Sequence, residues 1–132
     1  MRITRFQATP DGGSCFVDVE LDLPHRRTDP EGHVLLGSNA FGSPKVAFSE
    51  LPEGLDQTWH TAPQRQIVVI LHGVLEVTTT DGESRRFSSG EVFLADDVGG
   101  KGHLTKAVGG KVHAMFAPMP PEVDLATWLG GP

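Results

Sequence analysis

A second cysteine is missing. Cys15 stands alone, so no internal disulfide can form, and its place in an alternating apolar pattern reads as a small buried hydrophobe. Long apolar runs are missing too. None approaches the ~20 residues of a membrane span, and the opening "MRITRFQATPDGG" has no signal-like apolar core. A cytoplasmic protein is therefore expected. Positive charge is sparse: 11 basic against 17 acidic residues give a net charge of -6, with no basic cluster longer than Arg26-Arg27 or Arg85-Arg86. Neither nucleic acid nor an anionic membrane is an expected partner. No serine sits in a nucleophile elbow, and "GGKG" is too short and wrongly placed for a phosphate loop.

What is there is punctuation. Sixteen glycines and ten prolines in 132 residues fall singly between short apolar segments, the composition of strands and turns. "CFVDVELDL" alternates, with Cys15, Val17, Val19, Leu21 and Leu23 on one face and Asp18, Glu20 and Asp22 on a wet one. "VLLG", "KVAFSEL", "QTWHT", "RQIVVILHG", "VLEVTTT", "ESRRFSS", "EVFLAD" and "KVHAMFAPM" are further strand candidates. Met115 and Phe116 read as ordinary strand core. Asp81-Gly82 predicts a two-residue hairpin turn. "PPEVDLATWLGG" predicts one short helix with Pro-Glu in its first turn. One domain over residues 1–132, an all-β barrel with a short C-terminal helix, is the expectation.

From Gly54 to Ala107 the residues resemble the two motifs of the cupin superfamily. The first motif runs Gly, five residues, His, one residue, His, three or four residues, Glu, six residues, Gly; the chain has Gly54, His60, Ala62, Gln66 and Gly73 at those spacings. Gly90 and His103 match the second motif, with Asp96 in place of its proline and Ala107 in place of its asparagine. The resemblance implies a double-stranded β-helix, or jelly-roll, barrel with an internal pocket, and commonly a homodimer, here through the N-terminal strands. It also implies a divalent metal held by three histidines and a glutamate. Ala62 removes one histidine, and Gln66 offers a neutral carbonyl in place of a carboxylate.

Three readings of the site remain open. Strand parity points Gln66, Val68 and Ile70 inward together, and groups His103, Thr105 and Ala107 on a facing strand. His60 and His103 would then share proton transfer in non-redox chemistry of an isomerase, cyclase, dehydratase or lyase, with Gln66 orienting a carbonyl or hydroxyl. Alternatively His60, Gln66 and His103 hold Zn, Fe, Mn or Ni, completed by His113 or Asp96, for dioxygenase or decarboxylase chemistry. The third reading is a pocket that binds a small molecule without changing it. Val68, Ile70, Trp59, Thr105, Asp96 and Lys101 are expected around the substrate, with Trp59 as a cap and Lys101 or Arg65 facing an anionic group. Asp96 and Asp97 open a glycine-rich loop where a carboxylate can turn the chain or orient a histidine. His72 can share the inward face with Gln66 but reads more simply as a strand-end surface residue. His25 and His33 carry no spacing signal.

Overall fold

Three hairpins close in the same way, at Thr9–Gly13, Asp29–His33 and Thr79–Glu83. In each, the first residue's N–H donates to the fifth residue's carbonyl, and the fourth residue, a glycine, donates back to the first. Those glycines, Gly12, Gly32 and Gly82, have φ of 85°, 93° and 87°. This is a three-residue loop with one left-handed glycine, not the two-residue turn expected at Asp81-Gly82. A two-residue Asp-Gly turn would need positive φ at Asp81 as well, and every positive φ among the described residues belongs to glycine.

The computed structural model describes residues 1–130. Its strands are β1 (Arg2–Ala8), β2 (Ser14–Glu20), β3 (His25–Thr28), β4 (Val34–Gly37), β5 (Ala47–Leu51), β6 (Asp56–His60), β7 (Gln66–His72), β8 (Leu75–Thr78), β9 (Ser84–Phe87), β10 (Val92–Asp96), β11 (His103–Ala107) and β12 (Val112–Pro118), followed by helix α1 (Leu125–Trp128). Six strands form one sheet in the order β2-β1-β10-β7-β12-β5, and four form a second in the order β6-β11-β8-β9. Neighbours pair antiparallel except β1 and β10, which run parallel. The result is a jelly-roll barrel, as expected.

Period-two alternation decides what fills it. Phe6, Val68 and Phe93 from the larger sheet meet Leu75, Val77 and Phe87 from the smaller one in a single apolar cluster. Phe6 stacks on Phe93 with ring centroids 4.5 Å apart, and Phe87 lies 4.9 Å from Phe93. The opposite parity of the larger sheet carries Ile3, Ile67 and Leu94, covered by Met119 and Trp128 from the C-terminal segment. Hence "IVVI" is apolar throughout: both of its faces are packed.

Three local expectations change. Helix α1 starts at Leu125, because Pro120 to Val123 close a turn instead, with the Val123 N–H on the Pro120 carbonyl. On β2 the face carrying Asp18 and Glu20 is wet at one end only, since Phe16 on the same parity is buried in the barrel. Cys15 is half-buried, not buried, because its parity faces away from that interior. Strands β3 and β4 make a separate two-stranded sheet whose Val34, Leu35 and Leu36 are exposed. No helix among the described residues is long and apolar enough to cross a membrane.

Candidate functional site

Strand β6 ends on His60 and β11 begins on His103, and the two residues are register partners. Their ring centroids are 4.5 Å apart at an interplanar angle of 60°. Gly102 makes this approach possible. It has φ of 79°, and a Cβ there would stand 1.9 Å from the His60 carbonyl oxygen and 2.7 Å from the Thr61 nitrogen. Its own carbonyl accepts the Ser14 hydroxyl at 2.6 Å, which ties the loop to β2.

Each ring has one nitrogen committed. His103 Nδ1 bonds Asp97 Oδ2, and His60 Nδ1 lies 2.7 Å from the Thr58 carbonyl oxygen. A carbonyl accepts only from an N–H, so neutral His60 keeps its lone pair on Nε2. The Asp97 carboxylate imposes the same tautomer on His103. Asp97 itself is fully buried, and its Oδ1 has no hydrogen-bond partner. Its carbonyl accepts the Ala62 N–H at 3.1 Å. The rings of Phe6 and His103 meet edge to face with centroids 5.2 Å apart.

Both imidazoles open on a cavity of about 260 Å³ inside the barrel. Of the residues expected around it, His60, Gln66, Val68, His103 and Thr105 line it. Four others are elsewhere. Ile70 is fully buried in the core and does not reach the cavity. Trp59 has the opposite strand parity to His60, and its ring lies under the Lys101 ammonium at 4.5 Å, so neither residue lines the cavity. Asp96 follows the inward Ala95 and therefore points outward. There Arg5 holds it with Nε at 3.0 Å and Nη2 at 2.7 Å. Asp96 cannot bind a substrate in the barrel; Asp97, one residue past the strand end, is the carboxylate that holds His103 from behind the cavity wall.

The remaining candidates also resolve. Arg65 straps the C-terminal segment, donating to the Pro120 and Val123 carbonyls at 2.8 and 2.7 Å. His113 bonds Glu50 at 2.9 Å, and this bond, with Lys111 nearby, holds the Glu50 carboxyl below its usual range. His72 is exposed. Sequence reasoning missed Gln57, Thr61 and Phe93 on the cavity wall. Gln57 was not legible from alternation, which turns a residue three before His60 outward; a register shift between His103 and Thr105 sets it opposite Thr105.

A resident divalent ion does not fit this donor set. The cavity offers two imidazoles and, beside them, only neutral donors, the amides of Gln57 and Gln66 and the hydroxyls of Thr61 and Thr105. Ala62 supplies no ligand, His113 lies outside, and the carboxylate of Asp97 is engaged by His103. Among the described residues, the one grouping of three His, Cys, Asp or Glu ligand atoms is Asp29, Glu31 and His33 at a surface turn.

The motif glycines fall where the chain must turn with positive φ: 82° at Gly54, 85° at Gly73 and 87° at Gly90. With the two motif histidines paired across β6 and β11 in a jelly roll, the architecture is decided. The fold is that of a cupin. No family model and no curated protein matches the chain. Solved structures similar to this barrel include a conserved protein of unknown function from Streptococcus pyogenes, with 24% identity and a TM-score of 0.47. That match covers 59% of this chain and 65% of the other, just under two thirds of its length. A cupin protein from Bacteroides fragilis matches at 21% identity and a TM-score of 0.45, over 60% and 67% of the two chains. NovW, a 4-keto-6-deoxy sugar epimerase from Streptomyces spheroides, matches at 15% identity and a TM-score of 0.41, over 86% and 67%.

Proposed function

We propose that the barrel cavity takes up a small molecule and moves a proton on it, with His60 and His103 as the acid–base pair. The observation that carries this is the pair itself: two imidazoles 4.5 Å apart, one fixed by a buried aspartate, both at a largely apolar cavity. Each neutral ring offers an Nε2 lone pair. One ring accepts a proton from a carbon next to a carbonyl, and the other, when protonated, returns one elsewhere on the same molecule. Asp97 stabilises the imidazolium formed at His103. Gln66 and Thr105 supply hydrogen bonds to the substrate's oxygen. Isomerisation, cyclisation and dehydration need no more than this.

The test requires no knowledge of the natural substrate. A panel of enolisable ketones and aldehydes is incubated with protein in heavy water, and deuterium uptake is followed by NMR. Uptake on at least one member should fall on the order of 10²–10⁴-fold in His60→Gln and in His103→Gln. It should be unchanged by a chelator, because the donor set makes no metal site. Ligand-induced stabilisation with no exchange across the panel would make the protein a binder instead.

Pairing of two copies has its candidate surface in the β3–β4 hairpin. A lone two-stranded sheet is marginal in water, and this one exposes Val34, Leu35 and Leu36 opposite Thr28, Arg27 and Arg26. A second copy, of net charge -6 and with Phe48 72% exposed on edge strand β5, is matched to it in both polarity and charge. Light scattering should give a dimer that Leu36→Asp converts to monomer; a monomeric parent protein would end this reading.

A further inference from the structure

The barrel cavity is unusual in what its wall lacks. Among the described residues lining it, the two imidazoles are the only ionisable side chains, and no lysine, arginine, aspartate or glutamate faces in. The body of the wall is Phe6, Val68, Leu75, Val77, Phe93 and Phe116; Gln57, Thr61, Gln66 and Thr105 add neutral hydrogen-bonding groups. We infer that the site selects an uncharged molecule with one carbonyl or hydroxyl on an otherwise apolar body. This rests on the proton-transfer reading for its chemistry but not for its selectivity.

Three facts converge on it. The cations nearest in sequence are already engaged: Arg5 on Asp96, Lys101 on the Trp59 ring, and Arg65 on two carbonyls. A carboxylate or phosphate entering the barrel would lose its water and meet no permanent cation, and protonated His60 alone, needed as the acid, would be neutralised by it. Protonation of His103 supplies none either, since the buried Asp97 carboxylate bonded to that ring balances the charge. The net charge of -6 opposes approach of an anion from solution as well.

Size sharpens the class. A cavity of about 260 Å³ has room for roughly nine groups of water size at ~30 Å³ each. A ring or short branched chain with one oxygen substituent fills it; a nucleotide or a diphosphate does not. Thr61 follows His60 in the chain and Thr105 shares β11 with His103, so a ligand oxygen held by these hydroxyls brings its acidic carbon to the acid–base pair.

The experiment compares two probes that differ only in charge: cyclohexanone bearing a ring carboxamide and cyclohexanone bearing a ring carboxylate. Each is titrated into isotope-labelled protein while the amide signals of Gln66, Val68 and Thr105 are followed. The carboxamide should shift those signals and bind at least tenfold more tightly than the carboxylate. Equal or tighter binding of the carboxylate overturns the inference, as does failure of the carboxamide to perturb the cavity signals. Deuterium exchange on the same two probes separates the two readings. Carboxamide binding without exchange removes proton transfer and leaves the selectivity; exchange favouring the carboxylate does the reverse.

Discussion

Replacing Gly102 by alanine should destabilise the protein by about 3–5 kcal/mol, from the left-handed backbone and the overpacking together. The new methyl would fall 1.9 Å from the His60 carbonyl oxygen and 2.3 Å from its carbon, and both are backbone atoms that cannot swing aside. Either β6 and β11 part, or the loop before His103 changes path. In both cases the histidine pair opens. For a domain of this size the melting temperature should drop on the order of 10–20 °C, and proton exchange should be lost with it. Gly82→Ala is the control. Its φ of 87° is equally unfavourable for alanine, but nothing lies within 4 Å of the added Cβ, so it should cost only about 1–2 kcal/mol. Equal losses in the two variants would mean that close approach at the histidines has no special weight.

Asp97→Asn should do the opposite: keep the fold and remove the chemistry. Asp97 is fully buried, with one oxygen on His103 and the other unpartnered. A buried carboxylate with an orphan oxygen is costly to the native state, and neutralising it without changing its shape recovers desolvation. The melting temperature should therefore hold or rise. Proton exchange, however, should fall by roughly 10²–10⁴-fold. A neutral amide no longer stabilises the imidazolium and no longer dictates which ring nitrogen carries the proton. Thermal melts and deuterium uptake on one preparation check both halves. A large loss of stability with exchange intact would make Asp97 a structural anchor alone.

Much of the architecture was legible because β-structure writes itself in local signals. Glycines at turn positions, the alternation on β2 and the continuous apolar run of β7 each reflect the period-two geometry of a strand and the number of its packed faces. The parity argument from Gln66 placed Val68 on the cavity wall, and the same argument from His103 placed Thr105 there. It also holds the reason Trp59 and Asp96 were misplaced. Each adjoins a residue that points inward, His60 in one case and Ala95 in the other, so alternation turns it out. The hairpin at Asp81-Gly82 was located correctly and its loop misjudged by one residue, because composition does not reveal whether an L-residue accepts positive φ.

The sequence by itself determined the barrel, the two motif histidines and their replacement partners Ala62 and Gln66, since each depends on residue type and spacing along the chain. Only the tertiary structure decided that His60 and His103 stand ring to ring, that Asp97 and not Asp96 serves His103, and that no ionisable side chain besides the two imidazoles lines the cavity. The first and last depend on which strand ends meet across a barrel, dozens of residues apart, and the second on how the loop from Asp97 to His103, six residues on, folds back. Gly102 permits the close approach of the two rings, and no local pattern encodes that distance.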